Sequence, residues 1–252
     1  MRTQFVYLND AAYYAGRDQF VRKSLEAVAQ AKHGFKLLDV GNLGDGKNRV
    51  NIQEIVEDLG GEHCGLDVNK NLAQKLGYKY QLIGDLHDLR GVVDDCSFDV
   101  VYAGEIIEHT WEPGRMIKEC ARILKPTGVL VLDTPNVYSL INVLRLHFLK
   151  RDSVNMDDAE MVYQEAKDNM KDWREQRGEV QSQPQHKILY SPAMLRQLMN
   201  MHGFAVERFA FIGLPDHVVY KVLLHVLPRG AQKIGLVAKR ESLEDIFNRK
   251  HK

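Results

Sequence analysis

The sequence predicts an α/β fold: a doubly wound, mostly parallel sheet of seven strands with a helical insert after the fifth. Three observations predict it. Short apolar runs alternate with amphipathic stretches from Lys36 onward, each run closes on polar residues or glycine, and the first opens into Gly41-Asn42-Leu43-Gly44-Asp45-Gly46. Alternation of this kind builds parallel βαβ units whose ligands sit at the carboxyl ends of the strands. Glycine has no Cβ, so such a turn takes positive φ and lets a ligand lie against main-chain N–H groups.

The elements follow in order. A helix is expected from Ala11 to Ala31, with Phe20, Val21, Leu25 and Val28 near a 3.6 period and His33-Gly34 at its end. Strands are expected at Lys36–Val40, Glu62–Asp67, Tyr80–Ile83, Phe98–Ala103 and Val129–Asp133. Helices at Val50–Leu59 and Arg115–Leu124 carry apolar faces, and Lys125-Pro126-Thr127-Gly128 turns the second into the next strand. Val137–Leu149 reads as an apolar helix and Lys150–Gln185 as a polar stretch, a lid over the site in which Tyr163 and Trp173 are packing anchors. Ser191-Pro192 is an N-cap and first helical residue for Ala193–Met201, which His202-Gly203 closes. Phe204–Ile212 and Ile234–Ala238 complete the sheet, and the apolar Val218–Leu227 between them reads as a helix packed on the core or lid. The division is an N-terminal helical segment at 1–34 and one domain at 35–252, with 137–187 as its insert.

Composition narrows the function. Lys+Arg and Asp+Glu are both 34, so no global field draws nucleic acid or an anionic membrane. No apolar run approaches the roughly 20 residues of a membrane span, and the N-terminus has polar residues where a secretory signal needs an apolar core. The expected location is the cytoplasm. Cys64, Cys96 and Cys120 form no CxxC pair and read as packing residues rather than as a disulfide framework or zinc ribbon.

Several motifs carry chemistry. Gly65-Leu66-Asp67-Val68-Asn69 ends the second strand, where an acidic side chain can accept from both hydroxyls of a ribose. Ile83-Gly84-Asp85-Leu86 ends the third, and Phe98 through Ala103 runs into Gly104-Glu105-Ile106-Ile107-Glu108-His109. Leu124-Lys125-Pro126-Thr127-Gly128 and the Val129–Asn136 run follow, then His186 through Phe204. In this order, from Lys36 to Lys239, the motifs resemble the class I S-adenosylmethionine-dependent methyltransferases. The branch they resemble holds the ubiquinone-biosynthesis O-methyltransferases and many sugar and natural-product enzymes.

The resemblance implies a Rossmann-like methyltransferase domain and S-adenosylmethionine as cofactor. It points to Asp39, Gly41, Asn42, Gly44 and Gly46 for the methionine part, Asp67 and Val68 for the ribose, and Asp85 and Leu86 for the adenine. Glu105 lies near the cofactor in that branch. The family's DxGxGxG would put glycine at the positions of Leu43 and Asp45, so this chain's glycines are shifted by one.

Methyl transfer from a sulfonium needs alignment of a nucleophile and an outlet for its proton. His109 and His186 are the candidates for that base, on a small-molecule acceptor methylated at oxygen. The alternative reading joins Glu105, Glu108, His109 and His186 in a divalent-metal site, since i, i+3, i+4 spacing shares one helical face. It would suit an RNA 2′-O-methyltransferase. A third reading is a non-catalytic cofactor-binding subunit of another protein, and a homodimer is the expected assembly of the enzyme.

Overall fold

Strands whose side chains are apolar on both faces belong in the middle of a sheet, and that rule orders this one. The computed structural model describes residues 12–14, 16–42, 50–70, 80–140, 188–213 and 230–242. In chain order they form β1 (Ala12–Tyr14), α1 (Arg17–Ala31), β2 (Lys36–Val40), α2 (Ile52–Asp58), β3 (Glu62–Asp67), β4 (Gln81–Ile83) and β5 (Phe98–Gly104). A 3-10 turn (Ile107–His109) leads to α3 (Pro113–Ile123), β6 (Leu124–Pro135), α4 (Pro192–Met201), β7 (Phe204–Ile212) and β8 (Lys233–Arg240).

The sheet has eight strands in the order β1-β7-β8-β6-β5-β2-β3-β4. All neighbours run parallel except β8, which is antiparallel to β6 and β7. β2 pairs with β3 on one side and β5 on the other, so the strand order reverses there. A crevice outside the carboxyl ends of β2 and β5 is where such a sheet takes a ligand.

Period-2 alternation divides the core between the two faces. Leu38, Val101, Ala103, Leu130 and Leu132 pack under α3 (Met116, Ile117, Cys120) and α4 (Leu195, Met199). Leu37, Val100, Tyr102 and Val131 pack under α1 (Phe20, Val21, Leu25) and α2 (Ile52, Ile55, Val56). Each fully buried leucine or valine is worth about 1.5–3 kcal/mol.

The seven expected strands are present, and β1 is an eighth. Ala12–Tyr14 was expected inside the first helix but pairs in parallel with Ala210–Ile212. The cause is tertiary: Gly213 N–H donates to Tyr14 O at 2.9 Å, Tyr14 meets Phe20 edge-on at 5.6 Å, and extended Gly16 delays the helix to Arg17. Cys64 and Cys120 are buried as expected. Cys96 is exposed, in a left-handed turn with φ 54°, so it is a turn residue and not a packing one.

β6 starts five residues before its expected apolar run, at Leu124 directly after α3, and Thr127 takes φ 65° inside it. Asp99 braces this amino-terminal edge. Its carboxylate accepts from Lys32 Nζ (2.6 Å), the Lys36 backbone N–H (3.0 Å) and Lys125 Nζ (3.0 Å). Burial works to raise its pKa, and these three donors outweigh it and hold it low.

Val137 N–H donates to Tyr190 O at 3.1 Å, and Asn136 bridges Tyr190, so the chain leaves the sheet and returns to it at one point. The expected lid and the expected helix at Val218–Leu227 lie outside the described residues, apart from the first few residues of the insert. Re-entry is capped: Ser191 Oγ accepts from Met194 N–H at 3.2 Å, with Pro192 in the first turn of α4. Replacing Ser191 by alanine removes that acceptor at a cost of about 1 kcal/mol. Thermal unfolding of Ser191→Ala should show Tm lower by about 2–4 °C.

Candidate functional site

Gly41 makes the first turn at the sheet's crevice. It takes φ 66°, its N–H donates to Leu66 O at 2.8 Å, and a Cβ there would run into Cδ1 of Ile106. Segment 105–107, beyond β5, therefore lies against the turn beyond β2. Asn42, next in the turn, is buried, and its side chain is already engaged. It exchanges two amide hydrogen bonds with Gln81, of 2.7 and 2.9 Å, tying the tip of β2 to β4. Only glycine at position 65 leaves room, because a Cβ would overlap both amides.

The acidic residues sit at three strand ends. Asp39 is buried with Oδ2 3.2 Å from His63 Nε2, at the edge of a groove of about 430 Å³ lined also by Val50, Asn51, Ile52 and Glu54. Asp67 closes β3 and accepts from Asn69 N–H at 2.9 Å, beside exposed Val68. Asp85 Oδ1 takes the His87 N–H at 3.0 Å and lies 2.7 Å from His87 Nδ1. His87 Nε2 in turn meets Thr110 Oγ1, and Leu86 is buried alongside. Burial works to raise the pKa of Asp85, but the two His87 contacts and the Arg115 charge bring it below its ordinary value.

The densest charge lies at the carboxyl ends of β5 and β6. Asp133 is wholly buried, with Arg17 Nε at 2.8 Å from Oδ1 and the Tyr102 hydroxyl donating to Oδ2 at 2.8 Å. Arg17 Nη2 also donates to the Tyr102 oxygen at 2.8 Å, and a Cβ on Gly104 would fall on both groups. Burial opposes the charge on Arg17, yet Asp133, Tyr102 and Glu105 outweigh it and keep the guanidinium protonated. Lys233 Nζ sits 2.8 Å from Glu105 Oε2. Glu108 is fully buried, with Thr134 Oγ1 donating to Oε2 at 2.9 Å and Oε1 lying 3.8 Å from His109 Nε2.

The common helical face expected for Glu105, Glu108 and His109 is not formed. Glu105 follows β5 at φ 57°, and 107–109 form a single 3-10 turn. Among the described residues no group of three or more His, Cys, Asp or Glu side chains is placed to hold a metal ion. Gly44, Gly46 and His186 lie outside the described residues.

Comparison with known proteins agrees with this geometry. Residues 38–132, from β2 through most of β6, match the family described as "Methyltransferase domain". A Mycolicibacterium smegmatis protein bearing the name S-adenosylmethionine-dependent methyltransferase is 31% identical over 87 residues, 33% of each chain. The ubiquinone biosynthesis O-methyltransferase of Coxiella burnetii is 39% identical over 74 residues, 28% of this chain and 30% of that one. Within residues 38–132 the chain is similar to the S-adenosylmethionine-dependent methyltransferases. The matched segments span about a third of these relatives' length. A SAM-dependent methyltransferase from Archaeoglobus fulgidus shares the fold, with TM-score 0.53 at 16% identity over 87% of this chain and 94% of its own.

The methyltransferase cofactor is a nucleoside with a sulfonium and an amino-acid group, and the residues present fit it. Gly41 offers bare backbone, and Asp67 offers a carboxylate at the adjoining strand end. Glu105 Oε1 is buried without a hydrogen-bond partner among the described residues, which suits a positively charged ligand. Sequence reasoning missed Arg17, Tyr102, Asp133, Lys233 and His87. Of these only His87 had a local signal, the Asp85-Leu86-His87 spacing. Among the described residues no helix is long and apolar enough to cross a membrane.

Glu108 is pushed up to about 8 by burial first and then by the charges of Glu105 and Asp133, against the Thr134 hydrogen bond. The native state thus keeps a proton that an exposed glutamate releases in mild acid. The stability this contributes is complete below the ordinary glutamate range and is lost as pH rises through about 8. Glu108→Gln keeps an acceptor for Thr134 and removes the titration. Thermal melts between about pH 5 and pH 9 should show a shallower fall of Tm with pH in the variant than in the wild type.

Proposed function

We propose that the chain moves a methyl group from S-adenosylmethionine to a hydroxyl of a small molecule, with His109 receiving the acceptor's proton. The observation that carries this is the position of His109: it closes the 3-10 turn just past the carboxyl end of β5, and its ring is 23% exposed beside a buried carboxyl. The bound cofactor supplies an already activated methyl group, so the protein's tasks are binding, alignment and proton removal.

The division of labour follows the strand ends. The Gly41 turn and Glu105 would face the methionine part, Asp67 the ribose hydroxyls, and Asp85 with Leu86 the adenine. Gly44, Gly46, Asn42 and Val68 complete the two binding turns in this reading. His87 holds Asp85 in place from the side chain and backbone together.

Two observations support oxygen on a small acceptor. The relative from Coxiella burnetii is named as an O-methyltransferase. The formal net charge is zero, which gives no field to gather a polyanion such as RNA. His186 is a second candidate base.

The test is methyl transfer from isotopically labelled cofactor to a panel of small phenols, hydroxy acids and amines, followed by mass spectrometry. Label on hydroxyl oxygen is expected. Label confined to amines or RNA, or no label at all, would overturn the reading. His109→Ala should lower kcat by about 10²–10⁴-fold while S-adenosylhomocysteine binds within about twofold of wild type.

A further inference from the structure

Three acidic side chains and two cations meet at the carboxyl edge, and their pairing is incomplete. Arg17 is committed to Asp133 and Tyr102, and Lys233 to Glu105 Oε2. That leaves Glu105 Oε1 and Glu108 Oε1, both buried, with no hydrogen-bond partner among the described residues. Glu108 has no exposed surface, and the His109 ring nitrogen Nε2 lies 3.8 Å from its Oε1. A buried acceptor left unmade is expensive, more so on a carboxylate, and with Glu108 holding its proton the unmade oxygen of Glu105 indicates that a positively charged group completes the arrangement.

The place is specific. Ile106, between the two glutamates, packs against Gly41, so the unmade oxygens belong to the segment that lies over the glycine turn. Glu105 is held there at φ 57°, a conformation rarely taken outside glycine, and its N–H is fixed on Asp133 O at 2.9 Å. Backbone strain of this kind gathers at sites whose surroundings over-determine it.

We infer that Glu105 reads the charge of the ligand: the site takes a cationic nucleoside in preference to its neutral counterpart. This rests on the methyltransferase reading and adds to it a basis for telling donor from product. In the transfer the S–CH₃ bond breaks as the CH₃–O bond forms, the S–C electron pair stays on sulfur, and the hydroxyl proton passes to the base. The nucleoside thereby loses one positive charge, and the Glu105 carboxylate that favoured it no longer favours its product. Lys233 tempers the effect by neutralising part of Glu105.

Calorimetry of the full chain separates the possibilities without measuring turnover. The two probes are S-adenosylhomocysteine, a neutral thioether, and sinefungin, which carries an ammonium where the cofactor has its sulfonium. The wild type should bind sinefungin about tenfold tighter than S-adenosylhomocysteine. Glu105→Gln should bring the two affinities within about twofold of each other. Lys233→Met removes the tempering cation and should widen the ratio, which decides the matter if the glutamine variant does not fold. Equal affinities in the wild type, or a ratio that moves in neither variant, would overturn the inference alone. Failure of the wild type to bind either probe would overturn the methyltransferase reading and this inference together.

Discussion

Asp133 is a carboxylate with no water on it, and the carboxyl edge of the sheet is arranged around its compensation. Taking such a group out of water costs several kcal/mol unless a cation and hydrogen-bond donors replace the solvent. Arg17 and the Tyr102 hydroxyl supply them, and each comes from a different element. The ion pair obliges α1 to begin at the mouth of the crevice, and Gly104 has no side chain because Arg17 and Tyr102 occupy that space. The N-terminal helix is thus part of the wall of the site as well as a cover on one face of the core.

The opposite edge of the sheet solves a related problem with a different acid. Asp99 gathers Lys32 from the end of α1, the backbone of Lys36 at the start of β2, and Lys125 from the start of β6. With Asp133 at one end of α1 and Asp99 at the other, the helix is pinned across the sheet by two carboxylates. Asp133 is fully buried, whereas Asp99 keeps some contact with solvent. Removing the partner of the first would strand a charge in the interior; removing one partner of the second leaves two others and water nearby.

What was legible in the sequence is what local chemistry determines. The runs at Leu37–Val40, Phe98–Ala103 and Val129–Asp133 must be buried on both faces, and the turn at Gly41 must accommodate positive φ, so sheet and crevice followed. Ser191-Pro192 announces a helix start because both residues act on backbone within one turn. β1 was hidden: three residues form a strand only because β7 is there to pair with them, and no periodicity records that. Arg17 and Asp133 were hidden for the same reason, since their partnership spans most of the sheet. The spacing of Glu105, Glu108 and His109 misled because a helical face presumes helical φ at each position, and Glu105 has φ 57°. Asn42 lies where the turn placed it, but its pairing with Gln81 depends on the register of β3 with β4.

The bridge between Asn136 and Tyr190 fastens departure and return together, whatever lies between them. Closing a loop costs entropy that grows only as the logarithm of its length, so a stapled pair of ends makes the sheet nearly indifferent to how much chain is suspended there. Lengthening, shortening or exchanging that stretch would leave the pairing of β6 with its neighbours undisturbed. Changes of length in that tract would end at the staple and would not pass into the strand order.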